Sequence, residues 1–226
     1  MELVHALNRG VDGRELFLEE IDYVRFVHGL YLFNDTTAAD ANAGYRFRKH
    51  SPHMDLGGPY VGNAKRERLV DIHGWCAMKN HYHLLLSERC ERGLSRFLQK
   101  LNVGYAKYFN EKYRRTGTLF QGRTKRVPIL SDAHYNYILH YVHLNPLDYL
   151  EGAKEWRVRS KSGIRDAHEA LAHLDGYRWS SYLDYAGRGN FPSVLTKKLM
   201  RDGNYMQDLR TFLHETEIDG TDIHLE

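Results

Sequence analysis

The sequence predicts an α+β domain, an antiparallel sheet with helices packed on it, and three observations carry that expectation. Two strand-like runs, LVDIHGWCAM over residues 69 to 78 and HYHLLLS over 81 to 87, are separated only by Lys79 and Asn80, the spacing of a tight antiparallel hairpin. Residues 93 to 113 place Leu94, Phe97, Leu98, Leu101, Tyr105 and Tyr108 on one stripe, with Arg96, Lys100 and Lys107 among the polar positions, as an amphipathic helix does. The elements follow one another as strand, helix, strand, strand, helix, strand, helix, which suits helices covering an antiparallel sheet.

Taken in order, residues 2 to 8 (ELVHALN) alternate as a strand, and Asn8-Arg9-Gly10 with Asp12-Gly13 supplies turn chemistry at its end. Between Glu19 and Phe33, Ile21, Val24, Val27, Leu30 and Tyr31 recur at helical spacing. Residues 34 to 66 show no sustained period and read as an excursion from the core, with a short helix near Thr36 to Ala43. After the 93 to 113 helix, Thr116-Gly117 breaks the chain and TLFQGRTKRVPIL returns as a basic strand. Asp132 is the expected N-cap of a helix that Pro146 ends. Residues 1 to 188 read as one domain carrying the excursion, and 189 to 226 as a helical, acidic extension.

Composition narrows the classes of function. No apolar run approaches the roughly 18 residues of a membrane span, and MELVHALNRG lacks the basic and apolar segments of a signal peptide. The cytoplasm, near the nucleoid, is the expected location. Two cysteines, Cys76 and Cys90, supply neither a disulfide framework nor a thiolate zinc site. The net charge is only +3, yet nine Lys or Arg stand against Glu111 alone between Arg96 and Arg126. From Arg201 onward seven acids face two arginines. A basic block in a near-neutral chain suggests a polyanion held against one face.

His81 and His83 are two apart on a strand, so their side chains share a face while Tyr82 points away. Such a pair holds a metal ion or forms two hydrogen-bonded core imidazoles. Tyr141 and Asn145 are four apart on the helix after Asp132 and share a face as well. Asn145 can add an amide oxygen to the two imidazoles, an open and moderately hard donor set suited to Mg²⁺ or Mn²⁺ with waters and a phosphate. Beside such an ion a phenol becomes a workable nucleophile toward a phosphodiester, and its attack leaves a covalent phosphotyrosine that conserves the bond energy.

HYH within MKNHYHLLL, then GYAKYFNEKYRRTGTLFQGR and YILHYVHLNPL, resemble the single-tyrosine HUH transposases, most of all the REP-associated tyrosine transposases of bacteria. The resemblance covers about residues 2 to 33 and 67 to 187. It implies an HUH, ferredoxin-like or RRM-like core and an enzyme that cuts single-stranded DNA at stem-loops through a 5′-phosphotyrosine. It implies Tyr141 as nucleophile, His81, His83 and Asn145 as ligands of Mg²⁺ or Mn²⁺, and a monomer or homodimer as the working unit. Tyr137, one turn before Tyr141, is the second choice of nucleophile.

The expected DNA contacts are Arg123 and Lys125 on one face of their strand, Arg126 on the other, Arg114 and Arg115 beside Tyr113, and Asn8 with Arg9 at the end of the first strand. His73 reads as packed or hydrogen-bonded, His143 as a partner of its helix's C-terminal dipole, and Trp179 as a buried anchor. Two other readings compete with the transposase. One is a hairpin-binding protein of the same fold that no longer cuts; the other is a metal-dependent phosphodiesterase that uses water.

Overall fold

The computed structural model describes residues 2–37, 67–151, 166–196, 198–199 and 204–214. Most of the predicted excursion, including its short helix, and the end of the acidic extension lie outside the described residues. The strands Leu3–Arg9 (β1), Val70–Met78 (β2), His81–Glu88 (β3) and Lys125–Ile129 (β4) form one sheet in the order β2-β3-β1-β4, with every pairing antiparallel. The fold is therefore the expected α+β arrangement, and the hairpin turns at Lys79-Asn80.

Each face of the sheet has its own core. Glu20–Leu32 (α1) and Gly93–Lys112 (α2) cover one face, where Phe26, Leu30, Phe97, Leu101 and Tyr105 pack on Ile72, Trp75, Tyr82 and Leu84. Asp132–Leu144 (α3), Ala167–Gly176 (α4), Tyr182–Tyr185 (α5) and Asn204–His214 (α6) build the other, where Ile138, Tyr141, Val142, Tyr182 and Tyr205 gather on Cys76, Met78 and Leu85. A bulge at His73 lets β2 serve both faces: Ile72 pairs with Leu86 but Gly74 with Leu85, which puts one extra residue on β2. His73 itself is buried and bonds the Ser87 hydroxyl at 2.8 Å, as expected of a packed histidine.

Local chemistry sets the ends of the helices. Glu19 and Asp22 form a reciprocal capping box on α1. Ser131, one residue before the expected Asp132, caps α3 by accepting from the His134 N–H; a serine with extended backbone fits the cap, and Asp132 becomes the first helical residue, where its charge suits the dipole. Pro146 ends α3 at Leu144 and opens a 3₁₀ turn, Asn145–Tyr149. The basic return strand is shorter than the sequence pattern suggests. Gly117 and Gly122 take φ of 84° and 77°, and residues 119 to 124 lie as a loop against the end of β1. There Leu119 O accepts from Val11 N, and Gln121 N donates to Arg9 O.

His143 does not serve the helix dipole. It is fully buried, bonding the Tyr205 hydroxyl through Nδ1 and the Ser181 hydroxyl through Nε2, each at 2.7 Å. Burial, aided by His140, holds its pKa well below the usual histidine range, so it carries no charge for a dipole to meet. The partners come from α6 and the start of α5, so His143 ties the extension to α3. Trp179 is half-buried and stacks between Tyr23 and Phe191.

The excursion leaves and re-enters the fold through a narrow neck. The Asn34 amide accepts from the N–H groups of Leu69 and Val70 and donates to Val70 O, while Thr36 N donates to Glu67 O. Arg96 donates to the Thr36 carbonyl, and Lys100 to those of Asp35 and Thr37. Two cations of the basic block thus serve the neck.

Candidate active site

Strand register builds the site. Cys76, His83, Leu7 and Lys125 are successive cross-strand neighbours, and Met78, His81 and Arg9 form the next row toward the hairpin turn. Side chains directly opposite in an antiparallel ladder share a face, so His81, His83, Arg9 and Lys125 all lie on the face that α3 covers. The residue before them along β1, His5, belongs to that face too.

Gly74 lets α3 come close to the sheet, for a Cβ at that position would meet Leu139 Cδ1 at 3.1 Å. The approach sets the ring of Tyr141 in T-shaped contact with both His83 and His5, with centroids 5.7 Å away in each case. Tyr141 is buried at 4% exposure, and Tyr137 packs on its far side at 5.8 Å. Of the two candidate phenols, Tyr141 is in ring contact with the His83 imidazole.

The imidazoles are held by hydrogen bonds at their inner nitrogens. His81 Nδ1 bonds Asn80 Oδ1 at 2.7 Å, and the Asn80 amide is turned that way because its Nδ2 donates to Gly13 O. His83 Nδ1 lies 2.9 Å from His5 Nε2. The rings of His81 and His83 stand nearly perpendicular, with centroids 4.9 Å apart. Burial, reinforced by Lys125, lowers the pKa of His5 to about 3, so it is neutral at physiological pH.

One turn after Tyr141, Asn145 is buried and donates its Nδ2 to the Tyr141 carbonyl at 2.7 Å; of its side-chain atoms only Oδ1 is of a kind that can ligate a cation. Among the described residues no group of three or more His, Cys, Asp or Glu side chains converges to hold a metal. Two imidazoles whose Nδ1 atoms are tied back, with the amide oxygen one turn beyond Tyr141 as a further donor, are a donor set that fits a cation keeping several waters. They do not fit a closed zinc site.

The remaining expected contacts separate into three groups. Lys125 and Arg9 are exposed on the histidine face; Arg123 is exposed in the loop just before β4 rather than on the strand. Arg126 and Asn8 face the opposite way. Arg126 bonds the Ser95 hydroxyl of α2, and Asn8 donates to Thr124 Oγ1 and accepts from the Arg9 N–H. At the end of α2, Arg115 is bonded to the Asn110 side chain and the Thr118 carbonyl, Arg114 is exposed with φ of 48°, and Tyr113 donates to Asp22.

Sequence reasoning passed over His5. The alternation of Leu3, His5 and Leu7 in the first strand was the signal that a third imidazole would share a sheet face with the pair, provided that this strand is the neighbour of β3.

The antiparallel sheet presents a His-aromatic-His pair to a tyrosine on the covering helix. A family model described as "Transposase IS200 like" matches residues 58–145, which include His81, His83, Tyr141 and Asn145. Over those residues, somewhat more than a third of the chain, the sequence is similar to the IS200-like transposases. A solved structure described as a REP-associated tyrosine transposase bound to a REP hairpin is similar at 13% identity, covering 89% of each chain with a TM-score of 0.46. No curated protein matches the sequence. No helix among the described residues is long and apolar enough to cross a membrane.

Proposed function

We propose that the protein nicks and rejoins single-stranded DNA at stem-loops, with Tyr141 as the nucleophile. The observation that carries this reading is the contact of the Tyr141 ring with His83 on the face of the sheet that also bears His81 and Lys125. Tyr141 Oη attacks the phosphorus of a phosphodiester. The bond from phosphorus to the 3′-oxygen breaks, that oxygen takes up a proton, and the products are a 5′-phosphotyrosine and a free 3′-hydroxyl. Attack by a 3′-hydroxyl on the phosphotyrosine reverses the step and rejoins a strand without ATP.

His81, His83 and Asn145 are the residues that would hold Mg²⁺ or Mn²⁺, which when bound supplies Lewis-acid stabilisation of charge on the non-bridging oxygens. The rest falls to the chain itself. Arg123, Lys125 and Arg9 line the approach to the pair and attract the phosphate backbone, while Asn80 and His5 fix the imidazole rings. Arg114 and Arg115, with Asn8 and Arg126 behind the sheet, extend the proposed DNA surface less directly. The protein works as a monomer or a homodimer inside the cell.

Incubation of a labelled single-stranded hairpin with Mn²⁺ tests the proposal. The wild type should give a denaturant-resistant protein-DNA band, and Tyr141→Phe should lose the band and the cut while keeping hairpin affinity. An undiminished band in Tyr141→Phe would move the nucleophile elsewhere, to Tyr137 first. Hairpin binding by the wild type without any band would leave a protein that binds and no longer cuts.

A further inference from the structure

His5 is the one buried imidazole of the site that neither the motif nor the family match accounts for. It lies on β1 opposite Leu85, one step diagonally from His83, and is completely shielded from solvent. Its ring is almost parallel to that of His83, at 8° with centroids 5.1 Å apart, so the 2.9 Å bond between His5 Nε2 and His83 Nδ1 lies in the ring planes. Which nitrogen carries the shared proton decides what His83 can do. If His5 donates, the remaining proton of a neutral His83 sits on Nε2, and that nitrogen cannot ligate.

The neighbouring histidine settles the same question through an unambiguous partner. Asn80 Oδ1 can only accept, and its amide is locked by the bond from Nδ2 to Gly13 O, so His81 carries its proton on Nδ1 and a lone pair on Nε2. A pair that meets one ion must offer matching atoms. We propose that His5 is a positioning residue: its Nε2 accepts the Nδ1 proton of His83 and thereby presents the Nε2 lone pair of His83 to a divalent cation.

In this arrangement His5 carries its own proton on Nδ1, a buried atom with no hydrogen-bond partner among the described residues. Among the described residues no other hydrogen bond competes for the ring, and packing against His83 and Tyr141 holds it in place. The inference rests on the metal reading proposed above, and the two can fail separately.

The full chain without DNA, titrated with Mn²⁺ and followed by the electron-spin-resonance signal of the free ion, provides the test. His81→Ala should abolish the site. His5→Leu should weaken Mn²⁺ binding by about ten- to a hundredfold, the usual effect of removing a ligand's outer partner. His5→Gln, whose side-chain oxygen can accept the same proton, should restore most of the affinity; a residue needed only to fill space would be served better by leucine. Wild-type affinity in His5→Leu, together with loss in His81→Ala, overturns the role of His5 and leaves the metal reading standing. Equal affinity in wild type and His81→Ala places the ion elsewhere and removes both. Should His5→Leu fail to fold, nitrogen-15 shifts of the wild type loaded with Cd²⁺ decide the matter: a protonated His83 Nδ1 is expected, and a protonated Nε2 overturns the inference.

Discussion

The two faces of the sheet use polar residues in opposite ways. On the α1/α2 face a set of buried polar groups is tied into shared networks. Tyr82 OH donates to Asn102, Asn102 and Asn8 donate to Thr124, and Asp22 accepts from Lys112, Tyr108, Tyr113 and the N–H groups of Leu18 and Glu19. On the α3 face, near the hairpin turn, three imidazoles and a phenol lie in ring contact, with exposed cations at the edge. The first face holds the sheet rigid, and the second carries groups that can meet a ligand. Tyr82, between the two histidines of the motif, belongs to the first face and fixes the strand from behind.

If that division is right, substitutions on one face should change stability and on the other the reaction. The largest effect is expected at Asp22. Burial raises its carboxyl pKa, but the bonds from Lys112, Tyr113, Tyr108 and the Glu19 N–H outweigh burial and hold it below the ordinary value. Asp22→Ala leaves five donors without their acceptor and should cost about 3 kcal/mol in urea unfolding, while the protein that remains folded still forms the phosphotyrosine band. A lost band in folded Asp22→Ala would blur the two faces.

Gly74→Ala is the reverse experiment. The added methyl presses on Leu139 and moves the tyrosine helix by tenths of an ångström. Cleavage should slow by about tenfold with an unfolding cost near 1 kcal/mol, because small misplacements weigh more on reaction than on packing. Arg123→Ala with Lys125→Ala should leave the melting temperature unchanged and lower the salt slope of single-stranded DNA binding by about 1.4. An unaltered slope would take these cations out of the DNA path.

The smallest effect concerns acid. Burial, aided by Arg25, lowers the pKa of His28 on α1 to about 4. Because this lies below the unfolded value of 6.5, its contribution to stability is complete above pH 6.5 and is lost as pH falls toward 4. The melting temperature should drop across that window, and less so in His28→Gln.

The sequence disclosed those parts of the fold that local spacing governs. The β2-β3 turn, the stripe of α2 and the i, i+4 relation of Tyr141 to Asn145 each depend on a few consecutive residues. Features decided at long range stayed hidden. His143 looked like a helix-end cation because its partners, Ser181 and Tyr205, stand 38 and 62 positions away. The bond between His5 and His83 spans 78 positions and exists only because β1 inserts between β3 and β4. The late start of β4 followed from Asn8 and Thr124 fastening the preceding loop, which propensity alone does not foretell.

The neck formed by Asn34, Thr36 and Glu67 gives the architecture a port for change. Once the two ends of a segment are pinned together, doubling its length adds only about 0.6 kcal/mol of closure entropy. Whatever is threaded between residues 37 and 67 can therefore be exchanged, trimmed or enlarged without disturbing the imidazoles on the sheet's far side. Insertions of very different length and composition can be carried there at nearly constant cost to the rest of the fold.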